Sequence, residues 1–172
     1  MTAINLVCKS ASQKGDDMKA RIIVLTLALC FIGTGVCFAQ NPSFMGTWKL
    51  NEAKSKLAPG AAKNNTVVYE PAGDNVKVTI DGTDGAGNPT HNEWTGKFDG
   101  NDYPVTGDPN SDTRSLERRS VHKIGFTAKK GKKVTTTGTI ILSNDGKSRT
   151  VISSGTDAQG NKFKSTAVYD KQ

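Results

Sequence analysis

Few side chains in this sequence are placed to do chemistry. His91 and His122 stand far apart, and neither has a serine, cysteine or carboxylate at a spacing that makes a nucleophile and base, so both read as surface strand residues. Asp108-Pro109-Asn110-Ser111-Asp112 imitates the first positions of a calcium loop. Thr113 stands where that loop needs glycine and Arg119 where it needs its bidentate glutamate, which leaves a polar turn. Lys129-Lys130-Gly131-Lys132-Lys133 is a basic tip able to touch anionic lipid or nucleic acid. It has no interleaved aromatics for base stacking, so no nucleic-acid partner is expected. Arg114 and Arg118 share one strand face with Leu116; turned inward they would pair with a carboxylate or another anion, and turned outward they are solvated. No catalytic constellation, metal site or cofactor site follows from these residues, and the chain is expected not to be an enzyme.

The thiols, Cys8, Cys30 and Cys37, all lie in the first 39 residues. There Met18-Lys19-Ala20-Arg21 is a short basic stretch, followed by the apolar run Ile22 to Val36 and then Cys37-Phe38-Ala39. That order is a secretory signal peptide with cleavage expected near Ala39. The run is about 15 residues, shorter than the roughly 18–20 a spanning helix needs, so export is expected rather than anchoring, with no membrane span in the mature form. Asp16-Asp17 make residues 1–17 a poor n-region, which points to Met18 as an alternative start. Lipidation is disfavoured because Leu29 precedes Cys30 and Val36 precedes Cys37, where a small residue is needed. The expected location is the periplasm or the outside medium.

The domain that remains, residues 40–172, has no cysteine and must be stabilised by a buried core. The whole chain, 172 residues, is 35% hydrophobic, 23% charged and 6% aromatic with a formal charge of +7. This is too polar for several membrane spans, and it is too short for two ordinary domains. Removing four basic and two acidic leader residues from 23 and 16 leaves +5, spread along the chain, for which solubility is a sufficient explanation.

Apolar residues in 40–172 recur with period two. Val76, Val78 and Ile80 alternate with Lys77, Thr79 and Asp81; Trp94, Gly96 and Phe98 alternate with Glu93, Thr95 and Lys97. Turn signals such as Ala72-Gly73-Asp74-Asn75, Asp99-Gly100-Asn101 and Asn144-Asp145-Gly146-Lys147 separate the runs. The pattern predicts about nine or ten strands, roughly 45–51, 66–70, 75–82, 90–98, 102–106, 113–119, 121–129, 133–143, 148–155 and 162–170. Glu52 to Leu57 can make a turn or two of helix before Pro59-Gly60. Short connections favour an all-β, antiparallel up-and-down β-barrel of about 8–10 strands, which removes the sheet edges; the alternative is a β-sandwich. Gly82-Thr83-Asp84-Gly85-Ala86-Gly87-Asn88 is echoed by Gly155-Thr156-Asp157-Ala158-Gln159-Gly160-Asn161, either a pair of loops flanking a mouth or one turn chemistry used twice.

Phe44-Met45-Gly46-Thr47-Trp48-Lys49-Leu50 resembles the opening of the intracellular fatty-acid-binding proteins and, more loosely, of the lipocalins; Ala167-Val168-Tyr169-Asp170-Lys171 resembles the closing strand of the former. Residues 40–172 are also similar to small exported bacterial proteins of no established activity that begin Gly-Thr-Trp-Lys-Leu-Asn and end Val-Tyr-Asp-Lys. The resemblance implies a calycin-like, lipocalin-like barrel with Trp48 plugging one end. Two departures stand out. The arginine that holds the ligand carboxylate in fatty-acid binders, two residues before the closing tyrosine, is Ala167 here, and Glu52 to Asn65 is too short for that family's helical lid.

The inner faces are expected to carry Trp48 and Leu50, Val67 and Tyr69, Val76, Val78 and Ile80, Trp94 and Phe98, Ile140 and Leu142, with Phe163 or Val168 closing. A barrel of this size either fills with such side chains or holds one small ligand. The small residues of Thr135-Thr136-Thr137-Gly138-Thr139 and Ser153-Ser154-Gly155 would leave the interior underfilled. The expected function is therefore an exported, non-catalytic barrel binding a small apolar or amphipathic molecule, lined by Trp48, Tyr69, Val78, Trp94, Phe98, Arg114 and Arg118. The alternative is a structural or protein-interaction module with a filled barrel.

Overall fold

Alternating inward and outward residues, broken by glycine-rich turns, fold here into hairpins, and the hairpins join into one closed sheet. A computed structural model describes residues 43–156 and 160–172. The strands are β1 (Gly46–Leu50), β2 (Lys63–Ala72), β3 (Asn75–Thr83), β4 (Pro89–Gly96), β5 (Tyr103–Thr106), β6 (Thr113–Ser120), β7 (Lys123–Lys130), β8 (Lys133–Leu142), β9 (Ser148–Thr156) and β10 (Lys162–Lys171). Each pairs antiparallel with the next, and β1 pairs with β10, so the sheet closes into an up-and-down barrel rather than splitting into the two sheets of a sandwich. The expected leader and its expected cleavage near Ala39, the three cysteines and Asp157-Ala158-Gln159 of the repeated loop lie outside the described residues.

Burial follows the period. Trp48, Tyr69, Val78, Trp94, Leu142 and Tyr169 are buried, while Lys49, Glu70, Asp81, Thr95, Glu117 and Lys164 are exposed. Burying a side chain such as Trp48, Ile124 or Leu142 stabilises the barrel by roughly 1.5–3 kcal/mol. On β10 the inward face carries Phe163, Ser165, Ala167 and Tyr169, so Phe163 rather than Val168 is the closing inward residue. Strand β2 begins at Lys63, three residues before the pattern predicts, because a bulge between Asn64 and Thr66 interrupts the alternation that marks a strand. The expected helix is a single 3-10 turn, Glu52–Lys54, capped by Asn51, whose Oδ1 accepts from Lys54 N at 3.2 Å. The connection then runs along β10, with Lys56 and Thr166 exchanging backbone hydrogen bonds of 2.7 and 2.8 Å.

Two of the small residues on β8 and β9 face aromatic rings of the neighbouring strands. Gly138 pairs with Phe126 and Gly155 with Phe163 across neighbouring strands. A Cβ on Gly138 would stand 2.5 Å from the Phe126 ring and collide with the Ile152 carbonyl; one on Gly155 would collide with the Thr135 carbonyl and meet the Phe163 ring at 3.0 Å. Each ring occupies the space its glycine partner vacates, and a glycine at such a position lets the strand bend around the barrel.

A candidate site in the barrel interior

Trp48, fully buried on β1, donates from Nε1 to the carbonyl of Phe44 at 2.8 Å, and Phe44 is itself buried. This pair closes the end of the barrel where the chain enters β1 and leaves β10. Phe98, half-buried in the β4–β5 connection, lies at 6.5 Å from Tyr69, ring centroid to ring centroid. Arg118 is exposed rather than interior: its guanidinium covers Phe44 at 5.6 Å and Phe98 at 5.3 Å. A second cation, Lys171, stands 5.3 Å from the Trp48 ring and donates to Ser43 O at 3.2 Å. Cation–π contacts of this kind contribute about 0.5–1 kcal/mol where exposed.

Arg114 turns inward. Its side chain is 14% exposed, and Nη2 reaches Asp108 Oδ2 at 3.3 Å and Asn92 Oδ1 at 3.4 Å. Burial lowers its pKa, while Asp108 and Tyr69 act in the other direction. Ser111, 2% exposed, donates to Asp108 Oδ2 at 2.5 Å, and Asn110 N donates to Oδ1 at 2.9 Å. The run that imitates a calcium loop thus folds its carboxylate onto its own serine, a backbone amide and Arg114. Trp94 Nε1 donates to Arg114 O at 2.8 Å, and its ring meets Tyr103 edge-on at 5.8 Å. Val78 pairs with Tyr69 on one side and Trp94 on the other. Trp48, Tyr69, Val78, Trp94 and Arg114 therefore share the interior, with Phe98 and Arg118 at its Phe44 end.

The residue that sequence reasoning passed over is Arg149. On β9 it pairs with Tyr169 of β10 and Leu142 of β8, and it is 2% exposed. Its guanidinium carbon lies 4.9 Å from each of the Trp48, Tyr69 and Tyr169 ring centroids. Its Nε and Nη1 are buried and have no hydrogen-bond partner. A buried donor left unmade costs about 1–3 kcal/mol and a buried charge more, so the ring faces offset only part of the cost of placing this cation inside. Burial pushes the Tyr169 phenol up to about 12, against the downward pull of Arg149, so it stays neutral beside the guanidinium. The interior guanidinium comes from β9, opposite Tyr169 of β10. The pattern alone could not mark Arg149, because on β9 the outward set Thr150, Ile152 and Ser154 is as apolar as the inward set Val151, Ser153 and Gly155.

The histidines remain apart. His91 is exposed, with Nδ1 2.7 Å from Asp81 Oδ1, and its neighbour Glu93 pairs with Lys77 at 2.6 Å. That hydrogen bond and charge hold the Glu93 carboxyl below its usual range. His122 sits in the β6–β7 turn with Nε2 buried and unpartnered. Neither ring is hydrogen-bonded to a hydroxyl among the described residues.

No protein-family model matches this chain, and no curated protein matches it. Among solved structures it is similar to a redesigned β-barrel, at 13% identity over 74% of this chain and 90% of that one, with a TM-score of 0.39. It is also similar to a de novo designed fluorescence-activating β-barrel, at 15% identity over 75% of this chain and 94% of that one, with a TM-score of 0.39.

Proposed function

We propose that this chain is an exported, non-catalytic β-barrel that holds one small amphipathic molecule, its anionic head against Arg149 and its apolar part among the interior aromatic residues. The observation that carries the proposal is the Arg149 guanidinium, 2% exposed with Nε and Nη1 unpartnered between three rings. Nε and Nη1 lie on different edges of the planar guanidinium, so each can donate a separate charge-assisted hydrogen bond to an anionic head. The apolar part requires Phe126 and Phe163, both half-buried and both lying over glycines, to turn aside. The second reading, a filled barrel serving as a structural or protein-interaction module, is favoured by those same two rings in their present positions.

Titration with a fatty acid and with an apolar dye, followed by the fluorescence of Trp48 and Trp94, separates the two. The carrier predicts a saturable change that Arg149→Met abolishes for the fatty acid. No spectral change with either probe would leave the filled module.

A further inference from the structure

We propose that the tip of the β7–β8 hairpin and the groove beside it form a docking surface for an anionic lipid membrane. Lys130, Lys132 and Lys133 are exposed around Gly131, whose φ of +58 makes the tight turn that spreads them to both sides. Lys129 is neutralised by Asp102 at 2.6 Å, and Asp112 Oδ2 accepts from Gly131 N at 2.8 Å, which holds the shape of the tip. Lys130, Lys132, Lys133 and the nearby Lys162 form no ion pair among the described residues.

An apolar element lies within this charge. The bulge between Ala128 and Lys129, where Val134 and Thr136 are the successive partners across β8, turns Val134 outward at 46% exposure. Val134, Lys162 and Phe163 line one groove of about 280 Å³ together with Thr135, Thr137 and Ser154. Lysines around an exposed valine and a half-buried phenylalanine fit a bilayer interface. The ammonium groups meet headgroup phosphates, the hydroxyls of the groove donate hydrogen bonds to the phosphate oxygens, and the apolar side chains reach the acyl boundary. Nucleic acid is the weaker match, because single-strand binding uses exposed aromatic platforms and the tip offers none. The surface lies at the barrel end opposite Phe44.

Co-sedimentation of the protein recovered from the exporting cell tests the surface, using vesicles of phosphatidylcholine alone and of phosphatidylcholine mixed with phosphatidylglycerol. Binding is expected to the mixed vesicles only and to fall at high salt. Each lysine near an anionic surface is worth roughly fivefold in affinity, so K130E/K132E/K133E is expected to bind at least about 100-fold more weakly, and Val134→Asp is expected to weaken binding as well. Both variants share the wild-type N-terminus, so the difference reads the tip alone, and circular dichroism checks that they fold. Binding that ignores phosphatidylglycerol, or that survives the triple reversal, overturns the proposal; so does equal affinity for single-stranded DNA at the same salt. The four substituted residues, Lys130, Lys132, Lys133 and Val134, lie outside the Arg149 site, so fatty-acid uptake is expected to be unchanged in all three proteins, and a failure here is distinguishable from a failure there.

Discussion

Replacing Arg149 by methionine sets two views of the buried guanidinium against each other. If its two unmade donors await a ligand, the unliganded protein carries their cost, about 1–3 kcal/mol each, so roughly 2–6 kcal/mol in all. The three ring faces at 4.9 Å return about 0.5–2 kcal/mol each, so roughly 1.5–6 kcal/mol, which offsets the unmade donors but leaves the cost of burying the charge itself. Methionine keeps the stem and lays sulfur against the same rings for about 0.3–1.5 kcal/mol each, with no donor to satisfy. Arg149→Met is therefore expected to leave the free energy of unfolding within about 1 kcal/mol of wild type or to raise it by up to about 3 kcal/mol, as replacement of other buried ions by apolar residues does. Arg149→Ala opens a cavity beside Trp48, Tyr69 and Tyr169 and is expected to cost about 2–5 kcal/mol. Urea unfolding followed by far-ultraviolet circular dichroism measures both, with an unchanged slope confirming that the same surface is exposed. A loss above about 3 kcal/mol for Arg149→Met would refute the reasoning, since the guanidinium would then be a structural plug and the proposed ligand head would lose its motivation.

Three further outcomes are expected. Gly138→Ala and Gly155→Ala should each destabilise by at least about 1–3 kcal/mol in the same urea assay, because the new Cβ meets a carbonyl oxygen that cannot move without shifting a strand; unchanged midpoints would show that the strands yield freely. Tyr169 has a folded pKa of about 12 against 10.0 for the free group, so its contribution is fully present below about pH 10 and is lost as pH rises through 12. The stability difference between wild type and Tyr169→Phe should move by up to about 2–3 kcal/mol across that window, and a flat difference would mean the phenol is not buried in solution. Asp108→Ala removes the carboxylate facing Arg114 and Ser111 and should cost about 2–4 kcal/mol by calorimetry, with Asp108→Asn costing less; equal, negligible losses would place both side chains in water.

The elements were legible because each strand is buried on one face only. With one face in water, the period of two is written into residue type, as in Val76 to Asp81, and the glycines that close the hairpins mark the breaks. Legibility failed where the two faces carry similar residues. Strand β9 offers Val151 inward and Ile152 outward, so nothing in its composition said that Arg149 points in. The same difficulty attends Arg114 and Arg118, two positions apart on one strand. The first lies under the sheet and is held by Asp108, whereas the second falls beyond the packed interior and spreads over Phe44 and Phe98.

By itself the sequence determined the all-β class and the order and approximate limits of the strands. These depend on local spacing and residue type, which a linear chain displays. The tertiary structure decided how the interior is filled and which cation it encloses. Phe126 over Gly138, Phe163 over Gly155, and Arg149 among Trp48, Tyr69 and Tyr169 are set by strand register and by closure of β10 onto β1. Closure brings Trp48, near the start of the barrel, to within reach of Arg149 and Tyr169, near its end, and no local spacing encodes that meeting.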